Sequence, residues 1–438
     1  MPELFDPFLI KTLEQDKHYL ATTQVPIITV SSSYKEDLKD MHGYPADDTT
    51  PDVVFSRAHY SMALAIATAA WGDRVDPHKA WIVDPTNYVS KKDWKSIVLT
   101  EEIGKTIARN SLLKIVKDFI DTFGRKKLPI LGSITPPLLY LSEAIKHPVL
   151  CLHIAAGNIL ASQGKTVIQV VTDPHVREEY VLNSYRDTMY YCVFDEHTKM
   201  DFLEKAKLLG VAAKPEHICV TGAPIDPRVL AAGKKKHPYR NGPLRLCITT
   251  GGLGTNKQEI KTILEQLLPL LRKKTQIIQL LVYCSTHDDI YKNVLDLAKK
   301  HHVPIFSEED ENAPIRVLYH PQIVDANEKL IKYGFPWAHG FITKPSGDMA
   351  YDAAASGSFL LTLAEWGPWE ENIQSFFAQN GISRRAIVDS IALQIESLLS
   401  TKGKQESWVE SAMKSASKLP TKLTHGSQHI LEVLGKLT

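Results

Sequence analysis

Short apolar runs rich in β-branched residues alternate, almost from end to end of the chain, with longer stretches whose apolar residues recur at three- and four-residue spacing. Continuous apolar runs of this length fit strands buried on both faces, and the longer stretches fit the helices that cover them. The pattern therefore predicts βα units built on parallel sheets. In the first half, strands are expected at 25–32 (VPIITVSS), 80–85, 148–154, 166–173, 190–195 and 217–222, with a helix over 55–72 (FSRAHYSMALAIATAAWG). The stretch 226–243 (DPRVLAAGKKKHPYRNGP) breaks the rhythm with Pro, Gly and a basic run, and reads as a linker. The theme then restarts. Strands are expected at 244–250, 276–285, 315–321, 340–344 and 359–364, with helices at 256–273, 288–301 and 322–333 among those between them. Residues 387–435 read as two or three further helices. The fold class expected is α/β, with two Rossmann-like, doubly wound domains facing across a cleft. Their bounds are 1–225 and 244–386, joined by 226–243 and followed by C-terminal helices in 387–438.

Length agrees with that division. A chain of 438 residues is about two to three times a typical single domain. With 44% hydrophobic and 23% charged residues, it has ordinary globular composition. A formal net charge of +1 gives no overall attraction to nucleic acid, so a nucleic-acid partner is not expected. The basic run 233–240 (GKKKHPYR) reads either as a solvated linker or as a binding arm. The five cysteines are dispersed in or beside apolar runs, which fits reduced thiols and neither a disulfide framework nor a metal-binding pair. No stretch reaches the roughly 20 apolar residues that span a bilayer, and the N-terminal segment has no long apolar core. A cytoplasmic location is the expectation.

In open α/β sheets ligands bind outside the carboxyl ends of strands, which directs attention to the loops there. The segment 249–260 (TTGGLGTNKQEI) follows a strand and opens a helix. Glycines there let a ligand approach the backbone, and the helix start carries partial positive charge, so Thr250, Gly251, Gly252, Gly254 and Thr255 are phosphate-binding candidates. A plain strand-to-helix turn accounts for the same residues. Lys344 ends a strand, Ser346 and Gly347 form the next bend, and Asp352 lies in the helix beyond, where a carboxylate can accept from a ribose diol. Glu370, Glu371 and Asn372 open a further helix and are sugar- or ribose-binding candidates, although acids at that position also complement a helix dipole.

These pieces resemble glycosyltransferase family 28, the group of the monogalactosyldiacylglycerol synthases and the peptidoglycan N-acetylglucosaminyltransferase. Residues 250–255, 343–352 and 367–372 are similar to the family's glycine loop, its Lys-bearing strand end with a following acid, and its Glu-containing turn before an Asn. In the first half, 170–175 (VVTDPH) and 220–229 (VTGAPIDPRV) also look like family segments. The chain departs from the pattern at Pro345, Ser346 and Met349, and at Asp352, where the family has the longer Glu. It lacks the glycines before His59.

The resemblance implies the GT-B fold and an inverting transfer of a sugar from a UDP-sugar to an acceptor hydroxyl, with lipid or lipid-linked acceptors in view. It also implies peripheral contact with the inner membrane face, although 33–55 is acidic and turn-rich and not a basic amphipathic helix. His59 is the first candidate for the base that takes the acceptor proton, since an imidazole titrates near neutral pH; a polar helix cap is its other reading. Asp173 and His175 stand in reserve, and His153 reads as a core histidine. No cofactor and no metal site are expected; helix dipoles would stabilise the departing diphosphate. Two rival readings stay open. One is an enzyme like UDP-N-acetylglucosamine 2-epimerase, and the other is a non-catalytic protein that binds nucleotide sugars.

Overall fold

The computed structural model describes residues 9–32, 54, 56–89, 93, 129–272, 277–401 and 406–438. The acidic segment noted at 33–55 lies outside the described residues except for Val54. The chain divides into two compact units, Met1–Asp226 with Thr421–Thr438, and Pro227–Pro420.

The first unit is built on six parallel strands: β1 (Val25–Ile28), β2 (Ala80–Val83), β3 (Val149–Cys151), β4 (Val167–Val170), β5 (Met189–Val193) and β6 (Ile218–Val220), in the order β2-β1-β3-β4-β5-β6. Every residue of β1 to β4 is buried, as strands covered on both faces require. The helix Arg57–Trp71 starts at Ser56, whose hydroxyl accepts from the His59 N–H at 3.3 Å. It ends at Gly72, in the left-handed region at φ 78°. Asp84, just beyond β2, is fully buried and accepts five hydrogen bonds, from the N–H and hydroxyl of Ser31, the N–H of Ser32, and the N–H and hydroxyl of Thr86. Burial pushes its pKa up to about 6 against those bonds. The carboxyl group thus ties down the loop that leaves β1.

The second unit holds β7 (Leu244–Thr249), β8 (Ile278–Tyr283), β9 (Ile315–Leu318), β10 (Gly340–Thr343), β11 (Phe359–Thr362) and β12 (Ser383–Arg385). All are parallel, in the order β12-β11-β10-β7-β8-β9. Counted from β7 this is the 3-2-1-4-5-6 order of a Rossmann domain, and the order reverses between β7 and β10. The Thr249 hydroxyl donates to Thr343 Oγ1 at 2.6 Å and joins the two strand ends. Helices close the core; in Asp288–Lys300 the buried residues Ile290, Val294, Leu297 and Ala298 form one stripe against the sheet.

Several expected strands are shorter in the structure, because their carboxyl-end residues leave the ladder to build loops. The stretch expected over 25–32 ends at Ile28, and that over 315–321 ends at Leu318. The edge strand Ser383–Arg385 carried no apolar signal. Residues 226–243 are not a bare linker: they contain the helix Pro227–Lys235, grouped with the second unit. The C-terminal helices do not stay together either. Ile391–Leu399 and Trp408–Ala416 pack in the second unit, while Gly426–Gly435 belongs to the first. There the Ser427 hydroxyl donates to the Ile225 carbonyl at 2.9 Å, and a Cβ at Gly426 would stand 2.3 Å from the Ala223 carbonyl oxygen. Among the described residues no helix is long and apolar enough to cross a membrane.

Candidate functional site

The loop that follows β7 occupies the position where the strand order of the second sheet reverses. Thr250 and Thr255 are 2% and 5% exposed, and the hydroxyl of each has no hydrogen-bond partner. The Gly254 N–H donates to the Gly251 carbonyl at 2.8 Å, which closes the loop, and φ of +65° at Gly254 and +63° at Asn256 turns the chain into the helix Lys257–Leu267. That helix starts with no side-chain cap. A Cβ at Gly251 would stand 2.6 Å from Thr255 Oγ1 and 3.6 Å from Lys344 Cδ, so the bare glycine lets the loop and the end of β10 approach each other. His287, beyond β8, hydrogen-bonds through Nε2 with the Gly251 carbonyl at 3.2 Å. Asn256 donates to Glu259 and, at 3.2 Å, to the Ala364 carbonyl beyond β11. The three expected pieces, 250–255, 343–352 and 367–372, therefore converge at the carboxyl ends of β7, β10 and β11.

Not every side chain in them is turned to the same use. Lys344 Nζ forms an ion pair with Glu370 Oε1 at 2.6 Å, with the side chains 15% and 2% exposed. Glu370 Oε2 accepts from the Trp366 N–H at 2.6 Å. Both oxygens of Glu370 are thus engaged by the protein, and it acts here as the partner of Lys344. The Ser346 hydroxyl donates to Asp348 Oδ1 at 2.6 Å and accepts from the Met349 N–H at 3.3 Å, which caps the helix Met349–Ala355. Gly347 is buried in this bend, and Asp352 is buried in the helix. Glu371 and Asn372 are exposed in the first turn of Pro368–Gln379, and Gly252 is half-buried in its loop. Sequence reasoning missed the braces Asn256, Glu259 and His287. The first two form an Asn-x-x-Glu pattern at a helix start, a legible capping signal; His287 carried none.

In the first unit the sheet order reverses between β1 and β3, and two histidines lie beyond those strand ends. His59 Nδ1 donates to the Val30 carbonyl at 3.1 Å. Its ring stands edge-on to that of His153, with centroids 5.6 Å apart. Burial, then the charges of His59 and Arg177, pull the His153 pKa down to about 3, and its Nδ1 has no hydrogen-bond partner. Neutral and not fully satisfied, it differs from a bonded core histidine. Asp173 is half-buried in the loop beyond β4, where its carbonyl accepts from the His175 N–H at 2.7 Å. Burial and Lys205 lower the pKa of His175. Among the described residues no three His, Cys, Asp or Glu side chains gather in a way that could hold a metal ion.

Two parallel six-stranded sheets, each with its helices, define a protein of two Rossmann-like domains, the GT-B class of fold. The comparisons with solved structures place it among folds of that class. UDP-GlcNAc 2-epimerase from Neisseria meningitidis, bound to UDP-GlcNAc, is similar over 94% of this chain and 100% of that one, with 13% identity and a TM-score of 0.52. MnaA of S. aureus, in a structure with UDP, is similar over 94% of this chain and 98% of its own, with 11% identity and a TM-score of 0.51. A glycosyltransferase from Rickettsia africae ESF-5 covers the same share of this chain and 98% of its own, at 11% identity and a TM-score of 0.45. No protein-family model and no curated protein sequence matches the chain.

Proposed function

We propose that the protein is a UDP-sugar-dependent enzyme and, more specifically, an inverting glycosyltransferase that moves the sugar to an acceptor hydroxyl. The observation that carries the reading is the glycine loop at the switch point of the second sheet. Its two buried threonine hydroxyls lack partners, and the loop packs at Gly251 against the stem of Lys344. Unpaired buried hydroxyls cost stability unless something binds them, and a diphosphate supplies acceptor oxygens in the number and charge that such a loop fits. In this reading Thr250, Thr255 and the amides from Gly251 to Gly254 bind the diphosphate. Lys344 offsets its charge, and Asp352, Glu371 and Asn372 are assigned to ribose and sugar hydroxyls. Stabilising the leaving diphosphate lowers the barrier to breaking the anomeric C–O bond. The proton of the attacking hydroxyl is assigned to His59, with Asp173 the second candidate. No divalent cation is needed in this scheme.

A second reading, an epimerase acting on the donor alone, shares every nucleotide contact. The fold likenesses at TM-scores of 0.51 and 0.52 keep it in view. One experiment separates the readings: labelled UDP-sugars are incubated with the protein, with and without soluble and lipid alcohols, and products are read by mass spectrometry and NMR. A glycoside product with release of UDP supports the transferase. Inversion at a sugar carbon without acceptor supports the epimerase. Donor binding with no conversion under either condition leaves a non-catalytic binder and defeats both enzyme readings.

A further inference from the structure

The basic run 233–240 has a place in the fold that the nucleotide loop does not use. Lys236 Nζ is shared among four oxygens of the second unit: the carbonyls of Phe335 at 2.6 Å and Ala338 at 2.7 Å, and the hydroxyls of Ser358 at 2.7 Å and Ser356 at 3.2 Å. It anchors the residues that follow. The Tyr239 N–H contacts Met413 Sδ at 3.3 Å, and its hydroxyl donates to the Gly242 carbonyl at 2.8 Å. Between Lys236 and Gly242, the residues His237, Pro238, Tyr239, Arg240 and Asn241 line, with His339, an open cavity of about 370 Å³.

His339 directly precedes β10, whereas Lys344 directly follows it. At the rise of a strand the five steps between them amount to roughly 16 Å. The cavity therefore lies at the opposite end of the sheet from the glycine loop.

The lining is made of donors. Arg240 and His237 are exposed, Asn241 adds an amide, and no carboxylate lines the cavity. The Arg245 N–H donates to His339 Nδ1 at 3.1 Å, which puts that ring's proton on Nε2 and leaves Nε2–H as its donor. Burial, then the charges of Arg245 and Lys236, pull the His339 pKa down to about 4, so the ring is neutral near pH 7. Arg316 lies on the face of the sheet shared by Cys247 and Leu281, fully buried against the Trp337 ring, with Nε and Nη2 unpartnered. Lys236, Arg245 and Arg316 form no ion pair among the described residues.

We propose that this cavity binds a small molecule bearing a phosphate group, at a second site independent of the nucleotide loop. A guanidinium fork, a fixed imidazole N–H, a second imidazole and an amide, with no acid among them, suit a tetrahedral dianion with three or more acceptor oxygens better than a two-oxygen carboxylate.

The test is hydrogen–deuterium exchange on the full chain in chloride buffer, with inorganic phosphate, glycerol 3-phosphate or glycerol added at millimolar concentration. Protection of 236–245 by the two phosphates and not by glycerol is expected. Arg240→Ala should weaken that protection by about 10- to 100-fold in the concentration required, the loss of one charge-assisted contact. His237→Ala, equally exposed, should weaken it less. Stronger protection by inorganic phosphate identifies a site for the free anion, and stronger protection by the ester identifies a phosphorylated molecule. The proposal is overturned if protection appears only at 250–256, or if Arg240→Ala responds like the wild type.

Discussion

At the residue scale, the account turns on Gly251, Lys344 and Glu370. The glycine loop was legible because its glycines follow an apolar strand and precede a helix-period stretch, a local signal. Gly251→Val would push its Cβ toward Thr255 Oγ1, 2.6 Å away, and its branches toward the Lys344 stem. UDP binding should be lost while far-UV circular dichroism stays unchanged. The pairing of Lys344 with Glu370 was not legible: both were read as ligand contacts, and only the register of β10 against β11 brings the helix beyond β11 to the lysine. Glu370→Ala removes one partner of a largely buried pair and strands the Trp366 N–H, so urea denaturation should show a loss of about 3 kcal/mol. Glu370→Gln retains an acceptor for Trp366 and should cost clearly less. Equal losses would mean that the ion pair, not the amide contact, dominates.

At the element scale, strands and helices were read from their period, and the misplaced boundaries share a cause. Chain that leaves a strand to build a buried loop keeps the β-branched and small residues of a strand, as Thr29 to Ser32 do around the Asp84 carboxyl group, so the strand-like run overshoots the ladder. The helix within 226–243 was hidden by its Pro and Gly content, although Lys236 makes that segment part of the second unit. Two histidines give the elements a pH signature. His153 in the first unit and His339 in the second have folded pKa values near 3 and near 4, both below the ordinary 6.5. Between those values and 6.5 the unfolded chain binds more protons than the folded one, so stability is full above pH 6.5 and is lost as pH falls. Each histidine contributes a slope approaching about 1.4 kcal/mol per pH unit in that window. Denaturation midpoints measured from pH 7 to pH 4 should decline, and His339→Asn should flatten the decline; an unchanged profile in that variant would contradict the burial assigned to it.

At the scale of the whole molecule, two repeated βα patterns separated by a Pro- and Gly-rich break were enough to predict two Rossmann-like domains. The return of Thr421–Thr438 to the first unit was not, because the contacts of Ser427 and Gly426 with Ile225 and Ala223 join residues far apart in sequence. Of the candidate site, the part within one sheet was legible, since neighbouring strand ends share a loop cluster whatever the rest of the chain does. A scheme that relies on backbone amides and Lys344 for the diphosphate predicts that turnover persists in excess chelator. Loss of activity with EDTA, restored by magnesium, would require a cation in the mechanism. The central claim is that the loop after β7 grips a diphosphate, and isothermal titration calorimetry of the full chain with UDP, and with uridine as control, tests it most directly. Saturable heat with UDP, abolished in Gly251→Val, and binding of uridine weaker by about 100-fold or more, are the predicted results. No heat with UDP, or equal affinity for uridine and UDP, would contradict it.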